Sequence, residues 1–180
     1  MVGKVTPAYY LSTTEMIAVN KISKYKTPND ILAQKLVVQE KNLESVPSEP
    51  ENEKMKYGNR REAEVITDTA EVLNCVPKTD ITTPYGWYGA DKPLDFINAS
   101  LDGLLKPLDD GYIYPDEYPT GSNPKIRFCQ GQEKIKMDGI GICEAKTHMS
   151  YEIYTDLPRW LGRDQLQMQM KCYGAKWGTV

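Results

Sequence analysis

Two strand-like runs, residues 125–137 and 140–146, meet at Asp138-Gly139, the dipeptide that best fits a tight hairpin turn. The spacing predicts that these runs pair antiparallel, so the chain must build a sheet and find helices to cover it. The rest of the sequence supplies them. Residues 11–21 and 29–40 read as helices, the second opened by the start signal Thr27-Pro28-Asn29-Asp30. Residues 43–57 carry Glu, Pro, Ser, Asn and Lys with almost nothing apolar, which predicts a solvated loop. A helix follows over 60–74, with apolar residues at Ile66, Ala70 and Leu73, and Pro77 stops it. Residues 94–105 alternate as a strand does. Residues 106–124, with Pro107, Pro115, Pro119 and Pro124, read as an inserted loop. Residues 163–173 are helical with Gly174 as C-cap, and another extended run begins at 176. The expected class is α/β (α+β): N-terminal helices, then helix-strand-strand-strand-helix-strand, forming a mixed, mostly antiparallel sheet flanked by helices.

A length of 180 residues, 40% of them hydrophobic, suits one domain spanning 1–180 with a real core. No apolar run approaches the ~20 residues that cross a bilayer, and the first ten residues lack a signal-peptide layout. The expectation is a soluble cytoplasmic protein with no membrane partner. Cys75, Cys129, Cys143 and Cys172 lie far apart without a Cys-x-x-Cys pair, so buried free thiols are expected rather than a zinc site. With 22 basic and 25 acidic residues the formal charge is −3. Contact with nucleic acid would therefore need a local basic patch or metal ions bridging carboxylates to phosphate.

In the run 140–146, period-two geometry puts Ile140, Ile142, Glu144 and Lys146 on one face. A carboxylate and an ammonium leave that face side by side. Metal-assisted phosphodiester hydrolysis needs carboxylate oxygens for Mg²⁺ and a cation near the attacking water, although the same pair is also an ordinary surface ion pair. A second carboxylate comes from Asp102-Gly103 at the end of the preceding strand, a dipeptide that also serves as a plain turn. Asp138 is its rival, but at the far end of a hairpin it would point away from Glu144, so Asp102 is preferred. Between Glu62 and Glu64, helical geometry puts Glu62 on the stripe of Ile66, Ala70 and Leu73 and leaves Glu64 with Asp68 and Glu71 in solvent. A glutamate on the core stripe needs a partner, either a metal or a buried arginine. In the late helix Gln165, Met168 and Cys172 share one face, directing a glutamine inward, where it orients a water or serves as a core amide.

Together these elements resemble the PD-(D/E)XK nuclease superfamily, and within it the lambda-exonuclease and YqaJ-like viral recombinase family. The similar stretches are Leu11-Ser12-Thr13-Thr14-Glu15, residues 22–28, Gly58 to Glu62, Asp102-Gly103, Glu144-Ala145-Lys146, the helix bearing Gln165, Gln167 and Met170, and the exit Gly174-Ala175-Lys176-Trp177. The resemblance implies a restriction-endonuclease-like core and a Mg²⁺-dependent deoxyribonuclease, with Mn²⁺ as substitute. It most closely implies a phage-type 5′→3′ double-strand exonuclease for recombination. By resemblance, Asp102, Glu144 and the Ala145 carbonyl would hold the metal, Glu62 would complete the site, Lys146 would position water, and Gln165 would support it. Ser12, Thr14, Arg60, Arg61 and Gln167 would touch DNA. Expected partners are double-stranded DNA, a single-strand annealing protein and a homo-oligomeric ring.

Three departures accompany the resemblance. The 41 residues between Asp102 and Glu144 imply an added hairpin or loop, the chain stops at Val180 where family members continue, and His148 reads as a loop or DNA-edge residue. The rival expectations are an endonuclease or single-strand nuclease on the same fold, and a non-catalytic DNA- or annealase-binding module.

Overall fold

Capping decides where the first helices begin. In the computed structural model, which describes residues 9–44, 50–81, 85–87, 94–109, 111–113, 135–147, 159 and 162–180, a short strand β1 (Leu11–Ser12) runs directly into α1 (Thr13–Val19). Ser12 Oγ accepts from the Glu15 backbone N–H at 3.1 Å, and the Glu15 carboxylate accepts from the Ser12 N–H at 2.8 Å. Thr27 and Asp30 close the same reciprocal box on α2 (Pro28–Glu40), whose first-turn proline gives up no needed donor.

The next helix, α3 (Glu53–Val72), starts seven residues earlier than the predicted 60 and takes in part of the expected solvated loop. Its N-terminal turns are exposed nearly throughout, Met55 and Tyr57 included, so no buried apolar period marks them. Asn52 supplies the start instead, its side chain accepting from the Met55 N–H at 2.9 Å.

The strands that follow are β2 (Cys75–Lys78), β3 (Tyr85–Trp87), β4 (Leu94–Ala99), β5 (Gly103–Pro107), β6 (Tyr112–Ile113), β7 (Ile135–Lys136) and β8 (Gly141–Cys143). Helix α4 (Arg163–Tyr173) and strand β9 (Gly178–Thr179) complete the described chain. They form three sheets, ordered β1-β4-β3, β2-β5-β8-β9 and β6-β7, with all pairs antiparallel except β1 with β4 and β8 with β9. The described protein is thus a mixed α/β fold of four helices on mostly antiparallel sheet.

Two strand expectations are corrected. The single strand over 94–105 is two strands in different sheets, because Ser100-Leu101-Asp102 crosses between them with Leu101 fully buried at the crossing. The hairpin at Asp138-Gly139 does not form: β7 pairs with β6, and β8 lies between β5 and β9. Gly139, at φ 73°, turns the chain out of one sheet and into another. Lys176 pairs with Asp138 at 2.5 Å, and the Gly139 carbonyl accepts from Trp177 Nε1 at 3.1 Å, so the turn is tied to the C-terminal segment instead. Strand β2 was not foreseen because Pro77 argues against a strand. On the outer edge of this sheet, opposite Leu105, the missing N–H costs no ladder bond. The predicted loop over 106–124 gives up Lys106 and Pro107 to β5 and Tyr112–Ile113 to β6. Residues 110 and 114–124 lie outside the described residues, as do 125–134 and His148.

The four-stranded sheet separates two cores. Leu105 and Cys143 face Ile66, Ala70 and Leu73 of α3, whereas their strand neighbours Leu104 and Ile142 face Leu166 and Cys172 of α4. Cys75, Cys143 and Cys172 are buried free thiols. Among the described residues no helix is long and apolar enough to cross a membrane.

The tightest approach in the sheet is at Gly141, where a Cβ would enter the indole of the buried Trp177. Gly141→Ala is expected to cost about 1–3 kcal/mol, read as a lower urea midpoint at unchanged m-value. An unchanged midpoint would contradict this packing.

Candidate active site

The end of β8 and the start of β5 meet side by side, because Gly103 pairs with Cys143. One residue further along each strand stand Asp102 and Glu144, so sheet register alone brings two carboxylates together. Beyond this pair the backbone ladder stops. The Asp102 Oδ2 takes over as acceptor for the Ala145 N–H at 3.1 Å. On the other side, the Glu144 N–H donates to the Thr179 carbonyl of β9 at 2.9 Å. The strand end that presents Glu144 is held on both flanks.

Glu144 is 1% exposed, unusual for an acidic side chain, and each of its oxygens has a donor. The Lys146 ammonium donates to Oε1, and the Gln169 amide donates to Oε2. Lys146 shares the period-two face of Glu144 and remains partly solvent-accessible. The Gln169 Nε2 also donates to the Ser100 carbonyl at 3.2 Å, tying the loop that carries Asp102 to the strand that carries Glu144. Those two acceptors fix the amide orientation, and among the described residues Gln169 Oε1 is buried without a partner. Burial, and then the neighbouring charge of Asp102, push the Glu144 carboxyl up to about 7. The ion pair with Lys146 and the hydrogen bond from Gln169 offset part of that rise.

Helix α3 closes one side of this cluster. Ile66 lies directly over Gly103, and Gly58 faces the Thr147 hydroxyl, so the stripe Gly58, Glu62, Ile66 runs along the strand ends. Glu62 stands between those two approaches, one turn from each, and is partly buried. Glu64 lies on the outer side in an exposed pair with Arg61 at 3.0 Å. Asp138 is taken up by Lys176 at the opposite end of β8.

The other candidates fall as follows. Gln165 is buried on α4 and Gln167 is exposed. The glutamine that touches Glu144 is Gln169, one helical turn past Gln165 on the same buried stripe as Cys172. The i, i+4 spacing from Gln165 was the available signal, hidden because Gln165 and Gln167 alone fit the motif. Ser12 caps α1, Thr14 is exposed, Arg60 Nε donates to the Lys56 carbonyl at 3.2 Å, and Arg61 holds Glu64.

Chemically, the cluster presents two adjoining carboxylates, one in a dry setting, with an ammonium at the solvent side. Asp102, Glu144 and the Ala145 carbonyl are hard oxygens of the kind that suits Mg²⁺, and burial first, then the neighbouring Asp102 charge, sets the cost of ionising Glu144 that a cation would relieve. Among the described residues, no group of three His, Cys, Asp or Glu side chains is placed to hold one ion. Comparison with known proteins found no matching family model, curated protein or solved structure.

Proposed function

We propose that the chain is a Mg²⁺-dependent DNA nuclease with a restriction-endonuclease-like core, of the PD-(D/E)XK type that its motifs resemble. One observation carries the reading: Asp102 and Glu144, 42 positions apart in the chain, and Lys146, two residues further on, adjoin at the meeting of β5 and β8. Two carboxylates and a lysine at neighbouring strand ends match what phosphodiester hydrolysis asks of a protein.

Asp102, Glu144 and the Ala145 carbonyl would hold the metal, with Glu62 acting from α3 through water. A bound Mg²⁺ would polarise the phosphate and acidify water. The chain's own groups do the rest. Gln169 and the β9 carbonyl of Thr179 keep the Glu144 strand end in place. Lys146, held at Glu144 and open to solvent, orients the attacking water and faces the charge that grows on phosphate. Arg60, Arg61 and Thr14 are exposed, and by exchanging the Lys56 carbonyl and the Glu64 carboxylate for phosphate Arg60 and Arg61 would make contacts that position DNA without reading its sequence.

The most specific form of the proposal is a phage-type 5′→3′ double-strand exonuclease, working with a single-strand annealing protein in the cytoplasm of an infected cell. Purified protein with Mg²⁺ or Mn²⁺ is expected to degrade linear duplex DNA and spare covalently closed circles. Cutting of the circle would replace the exonuclease by an endonuclease, and intact linear DNA would remove the nuclease reading. A second reading is a non-catalytic DNA- or annealase-binding module on the same fold. It predicts no heat of Mg²⁺ or Mn²⁺ binding by calorimetry.

A further inference from the structure

Gly162 opens α4 and lies buried at φ 122°, a backbone region that side-chain-bearing residues rarely adopt. Its carbonyl accepts from the Leu166 N–H at 2.7 Å, so the residue is locked to the first turn of the helix. A Cβ there would press on its neighbours: it would lie 3.0 Å from Val180 Cγ1 and 3.3 Å from Lys146 Cε, closer than most such contacts, and in ordinary contact with Lys146 Cγ at 3.5 Å. The alkyl stem of Lys146 therefore runs across the bare Cα of Gly162. Val180 follows Thr179 of β9, whose carbonyl holds the Glu144 N–H, so the same strand that fixes Glu144 also bounds the lysine's channel.

We propose that Gly162 is a positioning residue for Lys146: its missing side chain provides the floor on which the lysine stem lies, and this sets where the ammonium ends. A long flexible side chain left free would sample many rotamers, and few of them would keep its charge at Glu144. Helix α4 thus acts on the cluster twice, through Gln169 on Glu144 and through Gly162 on Lys146. Only the purpose of the fixed ammonium rests on the nuclease reading.

The full chain, labelled with ¹³C-lysine, tests the floor without turnover. Lys146 is assigned by the signal that disappears in Lys146→Arg. Its two ε-methylene protons are expected to be resolved from one another, and to move in Gly162→Ala. A degenerate pair in the unaltered protein, or a pair unmoved by Gly162→Ala, overturns the proposal, and the first result is decisive even where the variant does not fold. In a nuclease assay Gly162→Ala is expected to lower kcat about 10- to 100-fold with KM within about threefold, the pattern of a misplaced group. Turnover equal to the unaltered protein overturns it. The double variant Gly162→Ala/Val180→Ala relieves the closest contact and leaves the one to Lys146, so kcat stays low, and recovery would assign the defect to Val180 packing and overturn the proposal. A resolved ε-methylene pair in a protein with no nuclease activity would remove the nuclease reading and leave the floor standing.

Discussion

Lys146→Ala is expected to lower DNA cleavage by about 10²–10³-fold, the usual loss when one preformed donor to developing charge is removed. The reason is geometric. Lys146 carries the positive charge beside Glu144, and its side chain reaches solvent where substrate would approach. The change should leave the fold intact, because the removed ammonium is partly exposed and the backbone pairing of β8 does not depend on it. Glu144→Gln should be at least as damaging to turnover, since it removes the charge while nearly preserving the shape. Both are checked by initial rates on end-labelled linear duplex beside far-UV circular dichroism. A folded Lys146→Ala protein with unaltered turnover would end the assignment of this cluster as the active site.

The second large effect concerns pH and the metal-free protein. Glu144 titrates near 7 when folded and near its ordinary 4.5 when unfolded, because burial and the Asp102 charge oppose ionisation. Between those values the folded state holds more protons than the unfolded one, so stability falls as pH rises from about 4.5 through about 7. Glu144→Gln cannot ionise and escapes the loss. Urea midpoints of the two proteins, measured from pH 5 to 8 in chelator, should therefore diverge, with the variant increasingly favoured at higher pH. Parallel curves would show that Glu144 ionises without penalty.

How much of this could be read from the sequence depends on which interactions are local. The box of Thr27 and Asp30 is local, and α2 begins one residue from its predicted start. The α3 stripe of Ile66, Ala70 and Leu73 is periodic, and it packs where the period directed it. Strand pairing is not local. Asp138-Gly139 carries a strong turn signal, yet the partner of β8 is decided by Trp177, Lys176 and the β5 register, all distant in sequence. The choice of Asp102 over Asp138 rested on a hairpin that does not form. The structure nevertheless puts Asp102, not Asp138, beside Glu144, through the Gly103–Cys143 register. Gly162 was invisible for the same reason, and Gln169 was marked only by its i, i+4 spacing from Gln165: each matters through what α4 touches, and helical periodicity specifies a face without naming its neighbour.

Asp102 extends the β5–β8 ladder by one rung with its side chain, accepting the Ala145 N–H where backbone pairing has ended. An asparagine there could accept the same proton through its amide oxygen, and a single transition in either aspartate codon produces it. The charge at this corner is thus separable from the scaffold by one mutation. If the cluster carries the proposed reaction, a lineage released from selection for it has a one-step path, Asp102→Asn, to descendants that keep the architecture without that charge.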